Sequence, residues 1–567
     1  MYKFLCENKE YDPFHYVETK TFQPIDISTT PQQMKLFVND LFDYDFHTKS
    51  HQLVHSNFRV NKWNPGILDL TMTHGKENNK FLYLCKPDDK RIPFFLIPYH
   101  QKQGFDKSVQ KLYVTFEFKH WDHARPYGTM TQNLGNIVIL NHYYEYILYC
   151  KSLNVSIQPF TKEVKQKLQS TNCQQWIQTI REKHHIPERN KRDHYIFSID
   201  SKEAVDFDDA ISYNEKEHKV SIYITNVALI MDELSLWDAF TNRVSNIYLP
   251  DKRRSMLPSL LIDSLCSLKQ KESKLCYVLD LYYNEDNSLK DYKFDLCSAY
   301  IHKNVFYEEL ETFEKTKHLQ HIMKIFNVKR SKQLITRLML LFNHYVAKGL
   351  HGKKVGIFKT LNQKEELHAT TLPDVPQEVY DHISIFKTNS SNYSVYHEDL
   401  VYKSIMHKDI DVYVQATSPI RRLVDLLNNI AFIHALTSHT MSTKSQEFYG
   451  YWTTTSNMEH INISSRSIRK IQSKCFIYQK YEQNRAHGKD VYYEGYVFDK
   501  VYKEGDGKYQ YMVYISSLGL ITYITLIEDL ANYSKHLFSL YVFMNEENDK
   551  KKVKLQLCYE CKEITRI

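Results

Sequence analysis

The chain has 567 residues, 25% of them charged and 42% hydrophobic, with a formal net charge of +7. That length holds several domains, and the composition is that of an ordinary soluble globular protein. No apolar run approaches the roughly 18 residues of a membrane helix, and the opening stretch, MYKFLCENKEYDPFHYVETK, has the form of neither a signal nor a transit peptide.

Residues 1–50 show no clear periodicity and read as an unassigned lead-in, irregular or helical. From 51 to 150 short strand-like runs dominate, KFLYLCK, RIPFFLIPYH, KLYVTFEFKHW and NIVILN, parted by turn signals in the manner of a five-stranded OB barrel. Residues 151–192 are Lys- and Gln-rich and read as a helical linker. A larger α+β domain follows over 193–486, ending in a helical segment at 455–486. From 487 to 567 alternating strands return, the first pair joined by Glu504-Gly505-Asp506-Gly507, a hairpin signal. Ten cysteines lack the spacing of a secreted disulfide framework and read as reduced thiols, as in the cytoplasm. Cys558 and Cys561 form the one close pair, which supplies two ligands where a structural zinc takes four.

The densest chemistry lies at 199–209, Ile-Asp-Ser-Lys-Glu-Ala-Val-Asp-Phe-Asp-Asp, which sets Asp200, Asp206, Asp208 and Asp209 among Val205, Phe207, Ala210 and Ile211. Apolar neighbours imply partial burial, and buried carboxylates need a neutralising partner. A divalent cation is the simplest, and an all-oxygen donor set favours magnesium (Mg2+), with manganese (Mn2+) as its substitute. The alternative is an acidic loop open to water. An EF-hand is excluded: counted from Asp200, Val205 stands at the turn glycine and Ile211 at the closing glutamate, and counted from Asp206 the glycine is again absent.

A second stretch, Thr417-Ser418-Pro419-Ile420-Arg421-Arg422, reads as a helix start with Ser418 as N-cap and Pro419 at the first helical position. Ile420, Leu423, Leu427, Ile430 and Ala431 then form one apolar stripe. On that reading two guanidiniums oppose the helix dipole, a poor arrangement for stability and a good one for holding phosphate.

These residues together resemble the catalytic (RNB) domain of the ribonuclease II family. The acidic segment is similar to that family's I-D-x5-D-x-D-D motif with all four aspartates in place. SNIYLPDKRRSMLPSLLIDSLCSL at 245–268, HKNVFYEEL at 302–310, LMLLFNHYVAKGL at 338–350 and ATSPIRRLVDLL at 416–427 follow in the family's order. The resemblance covers about 190–480, and FEFKHWDHARPYGTMTQNLGNI resembles the cold-shock-type domain that precedes the RNB domain. Departures are Asn226 for an aspartate, Arg337 for a glutamate and Asp263 for an asparagine.

The resemblance implies an α+β RNB core flanked by OB-fold, RNA-binding β-barrels, acting on single-stranded RNA as a magnesium-dependent, processive 3′→5′ exoribonuclease that releases 5′-mononucleotides. It implies that Asp200, Asp206 and Asp209 hold metal, and that Asp208 orients the attacking water and positions a second metal. Arg421 would contact the scissile phosphate and Arg422 a neighbouring one or the local structure, with Thr417 and Ser418 shaping the turn that presents both arginines. Tyr248 and Tyr307 match positions whose rings line the substrate path, where stacking is tolerant of sequence. A monomer suffices for this activity, and no membrane is involved. The rival reading is a catalytically silent RNB protein that binds RNA as a scaffold or regulator.

Overall fold

Short strands with alternating burial make the first 55 residues a sheet, in place of the irregular or helical lead-in read from the sequence. Strands β1 (Tyr2–Cys6), β2 (Phe14–Glu18), β3 (Pro24–Ile25), β4 (Leu41–Asp45) and β5 (Ser50–His55) lie in the order β3-β2-β1-β4-β5. Phe4, Tyr16 and Phe42 pack across it, with ring centroids 6.0 and 5.5 Å apart. No strand here exceeds six residues, and polar turns separate them, so no sustained alternation shows in the sequence. The computed structural model describes residues 1–100, 110–169, 172–313, 316–361, 375–376, 379, 382–383, 391–398, 412–486, 491–545 and 549–558.

Five further strands, β6 (Asn64–Glu77), β7 (Lys80–Pro87), β8 (Phe95–Tyr99), β9 (Lys111–His120) and β10 (Tyr127–Asn136), close into a barrel in the order β10-β8-β7-β6-β9. Two helices follow, Gln158–Leu168 and Cys173–Lys183. A second closed barrel then forms from β11 (Ile196–Asp200), β12 (Asp209–Asn214), β13 (Lys219–Thr225), β16 (Ser273–Tyr283) and β17 (Leu289–Phe306). Its seam is the parallel pair β11–β17, in which Ile199 faces Val305. All seven residues of β13 are buried, as expected of a strand covered on both faces. Between β13 and β16 a two-stranded hairpin, β14 (Ile247–Tyr248) with β15 (Arg253–Arg254), projects from the connection.

The helix Ser331–Gly352 is followed by the hairpin β18 (Ile357–Leu361) and β19 (Ser391–Val395), then by the helices Leu423–Leu436 and Thr455–Ala486. The chain ends in β20 (Tyr492–Lys503), β21 (Lys508–Ile515), β22 (Leu520–Leu526), β23 (Lys535–Asn545) and β24 (Lys550–Cys558), a sheet ordered β22-β21-β20-β23-β24. The Glu504–Gly507 segment is the turn of the β20–β21 hairpin, where Lys503 faces Lys508. Cys558 closes β24, and Cys561 lies outside the described residues. The fold is thus mixed α and β, with barrel domains of OB type. Among the described residues no helix is long and apolar enough to cross a membrane.

The chain divides into two compact units: Met1–Asn154 and Leu249–Asp251 with Lys470–Ile567, and Val155–Tyr248 with Lys252–Arg469. Within the first, the buried Asp549 carboxylate accepts hydrogen bonds from Lys86 Nζ at 2.8 Å and Lys111 Nζ at 2.5 Å, tying β7 and β9 to the turn before β24. The second unit carries every residue of the acidic segment.

Candidate active site

Asp200 ends β11 and Asp209 begins the antiparallel neighbour β12, so both carboxylates stand at the same mouth of the barrel. The loop between them is strapped down at Phe207, whose N–H donates to Ser267 Oγ at 3.0 Å and whose carbonyl accepts from Leu268 N at 2.9 Å. That anchoring drives Asp208 inward to 4% exposure. Its carboxylate accepts from Ile420 N and from Arg421 Nε, each at 3.1 Å. Burial nevertheless outweighs Arg421 and pushes Asp208 up to about 6. Asp206 is ion-paired with Arg253 of β15.

Among the described residues no cation is ion-paired with Asp200 or Asp209. Burial pushes Asp200 up to about 6, against a Ser198 hydrogen bond and the Arg421 charge. Burial and then the charges of Asp200 and Asp208 hold Asp209 well above the usual aspartate range. Asp200 Oδ2 is buried without a hydrogen-bond partner. The four acids therefore split: two are matched to arginines, and two face each other under mutual repulsion. Among the described residues no three acidic, His or Cys side chains stand gathered at ligand distance. The orphaned Asp200 oxygen and the all-oxygen donor set nonetheless fit a hard divalent cation, which would supply the missing charge.

The 417–422 segment departs from the helix start read in the sequence. Arg421 N and Arg422 N both donate to Ser418 O, at 3.2 and 3.0 Å, so Pro419 sits in a turn and the helix begins only at Leu423. Asp425, wholly buried in the first helical turn, takes the organising role: its Oδ1 accepts from Ser418 N and from Arg422 Nη2, each at 2.8 Å. Proline at the second position of a turn satisfies the same preference as proline at a helix start, which is why the two readings look alike in sequence. Arg421 is the more exposed guanidinium, 43% against 27% for Arg422, and its Nη2 donates to Ser418 Oγ at 2.8 Å.

All ten residues singled out from the sequence lie around one cleft of about 680 Å³: Asp200, Asp206, Asp208, Asp209, Tyr248, Tyr307, Thr417, Ser418, Arg421 and Arg422. Tyr248 is 46% exposed, a ring with a face to offer. Tyr307 follows β17, and its hydroxyl is pushed up to about 12 by burial and by the charges of Asp209 and Asp200, which places it beside the acids. Thr417 and Ser418 are buried, with Thr417 Oγ1 accepting from Asn343 Nδ2 at 3.5 Å.

Sequence reasoning missed Arg253, Asp425 and Asn343. Arg253 lies inside the quoted YLPDKRRSMLP run and Asp425 three residues after Arg422, so the doubled arginines and the i,i+3 spacing were the available signals. Asn343 accepts from Ala416 N at 2.8 Å and donates to Tyr413 Oη at 3.0 Å, fixing the approach to the turn. The departures have local explanations. Asn226 still serves as an acceptor, capping the helix Val227–Glu233 through Leu229 N at 3.0 Å. Arg337 donates to Phe326 O at 2.9 Å, while its neighbours Thr336 and Met339 line the cleft. Asp263 pairs with Lys269 at 2.8 Å.

Residues 188–324 match the RNB domain model and residues 82–151 the Dis3-like cold-shock domain 2 (CSD2). Ribonuclease R of Chlamydia trachomatis is 30% identical over 166 residues, 27% of this chain and 24% of that protein. DIS3-like exonuclease 2 of Schizosaccharomyces pombe is 28% identical over 225 residues, 36% of this chain and 23% of that protein. The aligned stretches thus span about a quarter of the length of these curated relatives. In fold, the chain is similar to Mycoplasma genitalium RNase R in complex with ribose-methylated single-stranded RNA, with a TM-score of 0.63 at 13% identity over 97% of this chain and 96% of that one. It is also similar to yeast Ssd1, described as a pseudonuclease, with a TM-score of 0.58 at 13% identity over 95% of this chain and 80% of that one. The chain thus carries a match to the RNB domain across the acid-bearing barrel and to a Dis3-like cold-shock domain before it, on a fold similar to that of RNase R.

Proposed function

We propose that the protein is a divalent-metal-dependent hydrolase, a processive 3′→5′ exoribonuclease that takes single-stranded RNA to 5′-mononucleotides. The observation that carries this reading is the convergence of four carboxylates, two of them uncompensated, with Arg421 in one cleft. Asp200, Asp206 and Asp209 would hold magnesium, or manganese in its place, which when bound supplies Lewis acidity toward the phosphate and a more acidic water. Asp208 orients the attacking water from a carboxylate already fixed by Ile420 N and Arg421. Arg421 meets the charge that develops on the phosphate, and the turn at Ser418 aims it there. Tyr248 and Tyr307 offer ring faces to the terminal bases.

The likeness in fold to a protein described as a pseudonuclease supports a second reading, an RNA-binding scaffold without hydrolysis. The fold alone does not separate the two, whereas the complete set of acids favours the nuclease. The test is a single-stranded RNA labelled at its 5′ end, incubated with magnesium and, in parallel, with EDTA. Progressive shortening to a small labelled product, blocked by EDTA, is the expected result. Bound but intact RNA in the presence of magnesium would select the scaffold.

A further inference from the structure

The hairpin β18–β19 sets Lys359 directly opposite Tyr393, so the two side chains share a face of the ribbon. Two other segments close on it. Lys359 N donates to Tyr413 O at 3.0 Å, tying the hairpin to the stretch that leads into the 417–422 turn. The helix Thr455–Ala486 grips Tyr393 through Asn462, whose Nδ2 donates to Tyr393 O at 2.9 Å and whose Oδ1 accepts from Tyr393 N at 2.8 Å. One turn on, Arg466 donates to Asn392 Oδ1 at 2.9 Å, and seven residues beyond Asn462 the same helix face presents Arg469.

Lys359, Arg422 and Arg469 thus come together from three elements distant in sequence. Burial, then Arg469 and Arg422, press the Lys359 ammonium below its ordinary range. The acid at hand is Asp425, and it is already engaged by Arg422 Nη2 and Ser418 N. Arg422 Nε is buried and has no hydrogen-bond acceptor. Among the described residues no carboxylate pairs with Lys359 or Arg469. Three cations against one engaged acid, in a partly buried setting, repel each other until an anion joins them. Arg422 and Tyr413 line the same cleft as the four aspartates, so an anion held here is continuous with whatever reaches those acids.

We propose that Lys359, Arg422 and Arg469 form a phosphate subsite for the RNA backbone, gripping a phosphodiester next to the one at Arg421. The subsite rests on the reading of the cleft as an RNA site. It explains why a lysine and two arginines gather around one carboxylate, Asp425, that is already engaged: the strand supplies the remaining charge, and a backbone contact of this kind holds any sequence.

The experiment measures binding of single-stranded RNA in EDTA across a salt series, for the full-length wild type and Arg469→Gln, with Lys359→Met as a second variant and melting curves as the folding control. Arg469 is exposed on the helix surface, so its variant folds even where that of the half-buried lysine does not. Arg469→Gln is expected to weaken RNA binding about tenfold and to reduce the slope of log K against log salt by about 0.7, the value for one lost phosphate contact on a single strand. RNAs carrying one neutral methylphosphonate, moved stepwise from the 3′ end, are expected to include one position at which Arg469→Gln has no further effect. An unchanged slope with no such position would overturn the subsite while leaving the RNA reading intact. Binding of inorganic phosphate or a 5′-mononucleotide that depends on Arg469, with the RNA slope unaffected, would overturn it in favour of a free-anion site. Wild type that binds no RNA would overturn the RNA reading and the subsite with it.

Discussion

Asp200, Asp208 and Asp209 are carboxylates whose charge the metal-free fold disfavours. The folded protein holds protons on Asp200 and Asp208 up to about pH 6, whereas an unfolded chain releases them near 3.8. Their contribution to stability is therefore fully present below about pH 4 and is lost as pH rises through about 6. Asp209→Asn, which removes the most strongly disfavoured charge, is expected to stabilise the metal-free protein at pH 7.5 by about 2 kcal/mol. Urea unfolding in EDTA checks this, and a loss of stability would contradict it. Arg253 bears on the same balance from the other side, since its guanidinium occupies the Asp206 carboxylate. Arg253→Gln is expected to tighten manganese binding, measured by titration calorimetry without RNA, by about tenfold. Unchanged affinity would show that the pair does not compete with the metal.

At the scale of elements, the order of motifs made the acid-bearing barrel and its flanking helices legible, because each motif joins special residues to a local turn or strand end. Other elements were not legible. Pro419 suits a helix start and a β-turn equally, and the choice between them is made by Asp425 reaching back to Ser418 N, a contact that no local pattern displays. The five short strands of the first 55 residues were likewise hidden, each too brief to establish a period of two. Asp425→Ala is expected to destabilise the protein by about 3 kcal/mol, since it strips a partner from Arg422 and leaves Ser418 N buried and unpaired. It should also release the turn that aims Arg421, so activity is expected to fall in the fraction that remains folded. Denaturant midpoints and RNA shortening, read on the same preparation, check both parts.

For the whole molecule, the sequence suggests a linear succession of domains, yet one compact unit joins Met1–Asn154 to Lys470–Ile567. That union depends on contacts such as Lys86 with Asp549, separated by 463 residues, which neither periodicity nor composition registers. Burial alone would raise Asp549, but hydrogen bonds from Lys111 and Lys86 outweigh it and hold the carboxylate below the ordinary range. Its contribution is present above the unfolded aspartate value and is lost as pH falls through the lower folded one, opposite in sign to that of the cleft acids. Asp549→Ala is expected to cost about 3 kcal/mol near neutral pH, and that cost should shrink in acid as the wild type loses the same interaction. A destabilisation that persists unchanged at low pH would point to packing alone.

Hydrolysis by the carboxylate cluster, as opposed to a cleft that only binds RNA, rests on Asp208. The most direct measurement compares wild type with Asp208→Asn on 5′-labelled single-stranded RNA and magnesium, resolved on a sequencing gel, with binding of the same RNA measured alongside. Wild type is expected to shorten the RNA, a folded Asp208→Asn to do so at least about a thousandfold more slowly, and both to bind it comparably. Intact RNA with a folded wild type that binds it, or equal shortening by the two proteins, would rule out hydrolysis by these carboxylates.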